Sequence, residues 1–271
     1  MKRIGRLKRL DVANPFGAPV YRLAVCASTM DEARWLLSEG ATHGTAIATD
    51  LQTGGRGRYP ERTWVSSAGK NLMFTLILRY PDFSRVPEAI TLRFGLAVAR
   101  AIADFEPDLA SALAVKWPND VMLGNKKCAG LLTENNGGTV LAGIGINVAE
   151  KFSEDGPTPH ASSIACELAA VNKDRAAIYV EPPLSLLLEK TLFFLHDAVS
   201  PGFDGVWREE LERMLYMKGR NVRFAAGTSP ARVVNGVIAG IRADGALLIV
   251  PEGGTATEAF MAGELDVYGA L

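Results

Sequence analysis

Between residues 113 and 148 the chain offers four strand-like runs, Leu113–Trp117, Val121–Leu123, Lys127–Thr133 and Thr139–Val148. The breaks between them carry turn residues: Pro118-Asn119-Asp120, Gly124-Asn125 and Asn135-Asn136-Gly137-Gly138. Breaks this short leave no room for a crossover helix, so consecutive strands must double back on one another as an antiparallel meander. That feature argues against an alternating βαβ array and for an α+β class.

The flanks are consistent with that class. Upstream, Tyr21–Ala27 reads as a strand, and Thr29-Met30-Asp31-Glu32 has the form of a capping box opening a helix that stops at Gly40. Thr45–Thr49 is a short strand, and Asn71–Arg79 is an almost unbroken apolar strand expected to be buried on both faces. Pro87 suits the first turn of a helix whose Ile90, Phe94, Val98 and Ile102 recur at i+4. Downstream, Leu184–Val199 and Phe203–Met217 carry helical periodicity. After Gly219 come short strands, Asn221–Phe224, Arg232–Ile241, Ala246–Val250 and Thr255–Phe260, with turns at Asp244-Gly245 and Gly253-Gly254. The expected organisation is a short basic arm over 1–20, a main α+β domain with a mixed or antiparallel sheet over 21–218, and a small β-barrel over 219–271.

Lysine plus arginine (29) balance aspartate plus glutamate (30), a formal charge of −1. No overall basic field points to nucleic acid, and any handling of anions must be local. The three cysteines, Cys26, Cys128 and Cys166, include no C-x-x-C pair, which disfavours a disulfide scaffold and fits a reducing cytoplasm. The basic first ten residues lead into no apolar stretch, and no run reaches the ~18 apolar residues of a membrane span. Gly69-Lys70 is followed by Asn71, so there is no Walker loop, and Pro60 prevents Gly54, Gly55 and Gly57 from completing a dinucleotide fingerprint. His43, His160 and His196 are scattered, and no Gly-x-Ser-x-Gly elbow exists.

Four segments remain. In Gln52-Thr53-Gly54-Gly55-Arg56-Gly57-Arg58, glycines let backbone N–H groups approach an anion while guanidinium groups supply bidentate donors. A surface loop that happens to be basic would look the same. Lys116-Trp117-Pro118-Asn119-Asp120 bends after a strand and projects short polar groups, as a plain turn also would. Lys127 alternates with apolar residues up to Gly130-Leu131-Leu132-Thr133-Glu134; a buried lysine needs an anionic partner, and a strand-end lysine needs none. Gly143-Ile144-Gly145-Ile146-Asn147 bares a strip of strand backbone against which a flat ligand, or merely a bulge, would fit.

In this order the segments resemble the biotin–protein ligases, of the biotin–[acetyl-CoA-carboxylase] ligase type. The resemblance runs from Ser28-Thr29 through Gln52-x-x-Gly55-Arg56-Gly57-Arg58, Trp64, Lys116-Trp117-Pro118-Asn119-Asp120, Lys127-x-x-Gly130-Leu131-Leu132-x-Glu134 and Gly143-x-Gly145-Ile146-Asn147. It continues through Ala161-Ser162-Ser163-Ile164 and Gly240-Ile241 to about Val267. The resemblance implies a catalytic domain like that of class II aminoacyl-tRNA synthetases, followed by a small barrel. It also implies an ATP-dependent, AMP-forming ligase: biotin and ATP give biotinyl-5′-adenylate, and the acyl group passes to a lysine of a biotin carboxyl carrier protein, a protein modification in the cytoplasm. A lipoate or octanoate ligase of the same fold and a non-catalytic biotin-binding sensor are the alternatives.

By the same resemblance, Lys127, Arg56 and Arg58 are the catalytic cations. Ser28, Thr29, Met30, Gln52, Gly55, Gly57, Gly130, Leu132 and Gly143 would bind biotin. Arg56, Gly57, Arg58, Trp64, Asn119 and Asn147 would bind nucleotide, with Trp64 stacking on adenine. Asp120 would contact Mg²⁺ carried by ATP or guide the acceptor amine. Two departures stand out: Met30 occupies a position usually held by Asn, and the Arg58–Trp64 segment, with Pro60, Glu61 and Arg62, is one residue longer than usual. With 27 residues before Ser28, a DNA-binding repressor module is not expected, and neither are nucleic-acid or membrane partners. A monomer and a homodimer both remain open, with Thr139–Val148 as a candidate pairing edge.

Overall fold

A computed structural model describes residues 7–59, 62–153, 155–156, 158–172, 174, 179, 182–227 and 232–266. Pro60, Glu61 and Val267 lie outside them. The strands are β1 (Lys8–Leu10), β2 (Val20–Cys26), β3 (Ala46–Gln52), β4 (Gly55–Arg56), β5 (Thr63–Trp64), β6 (Asn71–Arg79), β7 (Leu113–Lys116), β8 (Asp120–Leu123), β9 (Lys126–Asn136) and β10 (Thr139–Asn147). All but β4 and β5 form one eight-stranded sheet in the order β1-β2-β3-β6-β10-β9-β8-β7. The predicted meander is its second half: β7, β8, β9 and β10 pair in succession, each antiparallel to the last. β4 and β5 form a separate hairpin in the Gly/Arg segment.

Three expectations are corrected. β10 is no free edge: it pairs along its whole length with β6 and almost as fully with β9. Apolar side chains on both faces of β6 and β10 place them in the middle of the sheet, where neither face meets water. Second, helix α1 (Thr29–Ser38), which joins β2 to the parallel β3 within the expected mixed sheet, begins one residue earlier than its capping pattern implied. Its N-cap is Ser28, whose Oγ accepts from Met30 N, one residue before the predicted Thr29. Third, α2 (Ile90–Phe105) starts beyond Pro87, after Ala89 in a left-handed conformation at φ 54°.

Helix α2 buries Phe94, Val98 and Ile102 against one face of the sheet. It packs with α4 (Leu184–Ala198) and α5 (Trp207–Arg213), while α3 (Ile164–Val171) lies beyond the meander. The expected helix over Phe203–Met217 is shorter because the chain leaves it at Met214 to pair with β7: Val115 N donates to Met214 O, and Tyr216 N to Val115 O. This seals the outer edge of β7. No helix among the described residues is long and apolar enough to cross a membrane.

The C-terminal β module is a five-stranded antiparallel sheet in the order β14-β13-β12-β11-β15. Its strands are β11 (Asn221–Ala226), β12 (Arg232–Ile241), β13 (Leu247–Pro251), β14 (Glu258–Phe260) and β15 (Gly263–Asp266), the last unforeseen. It docks on the bend after β7. The Trp117 indole donates to Gly245 O at 3.0 Å and lies edge-on to Phe224, 5.7 Å between centroids. The core is continuous across this contact.

Candidate functional site

Where β3, β6, β9 and β10 lie side by side, their ends and the loops above them enclose a cavity of about 460 Å³. One end is polar and nearly uncharged. Gln52, at the end of β3, directs Oε1 at the start of α1, where it accepts from Thr29 N (2.8 Å) and Thr29 Oγ1 (3.2 Å). Thr75, from the middle of β6, donates to Thr29 Oγ1 at 2.9 Å. Ser28, Thr29 and Thr75 are all buried. Thr75 was not singled out from the sequence, because a lone threonine in an apolar strand gives no signal.

The glycine strip is covered by the chain itself rather than left bare. A Cβ on Gly143 would lie 2.8 Å from Met30 Sδ, and one on Gly145 would lie 2.7 Å from the Trp64 ring. Gly130, cross-strand partner of Gly145, would meet both Lys127 Nζ and the Trp64 ring. The glycines therefore admit Met30, Trp64 and the Lys127 side chain onto the sheet face. Trp64 borders this cavity and a second one of about 290 Å³ that Lys127 also reaches. The indole Nε1 is buried without a hydrogen-bond partner, an arrangement a polar ligand atom would relieve.

The opposite end is charged. Lys127 is pinned by its backbone, Lys127 N donating to His160 O and Ser162 N to Lys127 O, and its Nζ sits 2.6 Å from Asp120 Oδ1. Lys116 lies across the β7–β8 pair from Asp120 and is buried to 9% exposure. Burial lowers its pKa, partly opposed by the Asp120 charge. Arg56 is bidentate to Asp31 (2.8 and 2.9 Å), which raises the arginine's pKa and lowers that of the aspartate. Arg58 donates to Gly263 O (2.6 Å) and Tyr59 OH (2.8 Å). Arg62 pairs with Glu264 at 2.6 Å, so β15 of the C-terminal sheet grips the arginine hairpin at two points. Lys116 stood in a motif already noted, but its burial is a tertiary fact. Asp31 and Glu264 gave no sequence signal beyond helix capping and ordinary surface charge.

The predicted residues Ser28, Thr29, Met30, Gln52, Arg56, Gly57 and Arg58 line the main cavity from one side. Trp64, Asn119, Asp120, Lys127, Gly130, Leu132 and Gly143 line it from the other. Two predicted residues do not. Gly55 lies beneath, where a Cβ would strike Trp64 O at 2.7 Å, and Asn147 lines the second cavity while donating to Ser162 O. Asn119 reaches the main cavity, but its Nδ2 is used to hold Leu131 O at 2.7 Å. No cluster of three metal-ligating side chains occurs among the described residues. Burial pushes the Cys26 thiol up to about 11 and that of Cys128 to about 12, so neither supplies a thiolate near neutral pH.

Residues 23–149, which contain the cavity's glycines and Lys127, match the biotin/lipoate A/B protein ligase family. The chain's relatives include the bifunctional ligase/repressor BirA of Bacillus spizizenii, 38% identical over 49% of this chain and 41% of that protein. The chain thus spans about two-fifths of that relative's length. The biotin–[acetyl-CoA-carboxylase] ligase of Paracoccus denitrificans is 36% identical over 42% of this chain and 48% of its own. Among solved structures, the biotin protein ligase of Aquifex aeolicus in complex with biotin and ATP superposes with a TM-score of 0.72 at 25% identity. That match covers 91% of this chain and 97% of the Aquifex one.

Proposed function

We propose that the chain joins biotin to a protein lysine in two steps: formation of biotinyl-5′-adenylate from biotin and ATP, then transfer of the acyl group to a biotin carboxyl carrier domain. The observation that carries this reading is the convergence of Lys127, Lys116, Arg56 and Arg58, from separate segments of the chain, on a cavity whose other end is largely buried and uncharged. Such a cavity suits an amphiphilic acid. The polar end offers Ser28, Thr29 and Gln52, donors and acceptors together, to a ureido head. Met30, Leu132 and Gly143 flank the apolar part of the ligand.

The first step brings a carboxylate oxygen onto the α-phosphorus of ATP, expelling pyrophosphate. Two anions must meet, so fixed cations and positioning supply most of the rate. Lys127 lies between the two cavities and would neutralise both groups. Arg56 and Arg58, with the Gly55–Gly57 backbone, would close over the phosphate. Trp64 would stack on the base, its indole N–H meeting a nucleotide oxygen or nitrogen, while Asn147 and Asn119 border the nucleotide. Mg²⁺ belongs here to the ATP substrate, and with no cluster to hold it among the described residues, Asp120 is the side chain that would touch it. In the second step the acceptor amine attacks the acyl carbon and AMP leaves. As Lys127 turns to the adenylate, Asp120 is freed to hold the incoming ammonium until it gives up its proton.

Residues 21–218 would then be the catalytic domain and 219–271 the module that grips the arginine hairpin, acting in the cytoplasm as monomer or homodimer. Incubation with a carrier domain, Mg²⁺, ATP and biotin should yield a streptavidin-reactive carrier. Pyrophosphate exchange with lipoate but not biotin would replace biotin with the other acid named by the family.

A further inference from the structure

Two of the hairpin arginines, Arg56 and Arg58, are held differently. Arg58 is bound by neutral oxygens, Gly263 O and Tyr59 OH. Arg56 spends both terminal nitrogens on the two oxygens of one carboxylate, Nη1 on Asp31 Oδ2 and Nη2 on Asp31 Oδ1. Asp31 is itself fixed: its backbone N donates to Ser28 O in the first turn of α1, and Arg34 bonds its Oδ1. Arg34 in turn is anchored by Glu134 near the end of β9. The chain Arg56–Asp31–Arg34–Glu134 thus spans three elements at the rim of the cavity. Arg56 lines that cavity and Asp31 does not.

A bidentate carboxylate on guanidinium has the geometry that a ligand's carboxylate or phosphate would need. We infer that Asp31 is a positioning residue that competes with the bound anion for Arg56, so that closing the hairpin on ligand requires exchange of Asp31 for a substrate oxygen. This rests on the reading of the cavity as an anion-activating site and adds to it the residue that sets how readily one of its arginines is released. An anion binding through Arg56 meets a site that is competent only in the fraction of molecules where Arg56 has left Asp31, and its apparent affinity falls by that fraction. Arg58, held by uncharged partners, imposes no such exchange.

The test is calorimetric titration of inorganic pyrophosphate into the whole chain at fixed ionic strength. Asp31→Asn keeps the shape of the side chain and removes the charge. It should tighten pyrophosphate binding about 2–5-fold, the range expected for loss of a partly exposed ion pair. Adding Arg56→Ala to Asp31→Asn should abolish that gain. Unchanged or weaker binding in Asp31→Asn would show that Asp31 orients Arg56 toward the ligand or plays no part. A gain that survives Arg56→Ala would place the effect elsewhere, and either result overturns the inference. Because misfolding lowers affinity, a gain is not produced by structural damage. Pyrophosphate binding is measured without biotin, so failure of the wild type to form biotinyl-adenylate would count against the proposed function and leave this result standing.

Discussion

The two ends of the cavity are built by different means. At the polar end, Thr29, Thr75 and the half-buried Gln52 sit on regular elements of the main sheet and α1 and are hydrogen-bonded to one another, beside the buried N-cap residue Ser28. At the charged end, Arg56, Arg58 and Arg62 ride on a two-stranded hairpin and hold Asp31, Gly263 and Glu264 through contacts largely open to solvent. Buried neutral hydrogen bonds are costly to break and give a fixed shape. Exposed ion pairs are worth little and exchange readily. A site that must recognise one small head group and then fold over a charged intermediate needs the first property at one end and the second at the other.

The largest expected effect tests the charged end. Lys127→Ala should lower adenylate formation by about 10²–10³-fold with an unchanged circular dichroism spectrum; near wild-type turnover would remove Lys127 from the chemistry. Gly145→Leu comes next, since any side chain there collides with the Trp64 ring. Displacing the ring should weaken ATP binding by about 1–3 kcal/mol and biotin binding by much less, and equal losses in both titrations would refute the division between the two cavities.

Thr75→Val probes the rigid end. It removes the donor to Thr29 Oγ1 and should lower stability by about 1 kcal/mol, read from chemical denaturation, together with a raised KM for biotin at nearly constant kcat. A fall in kcat alone would contradict the assignment of this end to recognition. Glu264→Gln should cost less than about 1 kcal/mol of stability while loosening the hairpin, an effect that shrinks as salt rises. If high salt leaves the difference untouched, the Arg62–Glu264 contact is not the cause.

The smallest effect is in acid. Arg56 holds the Asp31 carboxyl below its ordinary value of 3.8. A carboxyl depressed in the folded state stabilises above its unfolded pKa, and that contribution is lost as pH falls through the folded value. Asp31→Asn should therefore flatten the drop in stability below about pH 4, measured by thermal melts, and a parallel curve would show the pair contributes nothing.

The meander from Leu113 to Asn147 was legible because its turns are short and local, and β6 because six apolar residues in a run of nine, interrupted only by Thr75, permit little but a central strand. Less legible were β15, the Thr63–Trp64 half of the arginine hairpin and the crossover at α1. These depend on partners far along the chain, or on glycines whose role shows only once Trp64 lies on them. Met30 illustrates the point: its identity was read as a departure from a motif, and its place against Gly143 was not readable at all.

Local patterning by itself settled which segments become strands and which chemistry-bearing residues the chain possesses, since turn chemistry and apolar period act over a few residues. Tertiary structure alone decided which of those charges face one another: Lys127 against Asp120, Arg56 against Asp31, Arg62 against Glu264 across 202 positions. The physical reason is that charge pairing depends on distance and burial in space, and the alternation of a strand carries neither until its neighbours are in place.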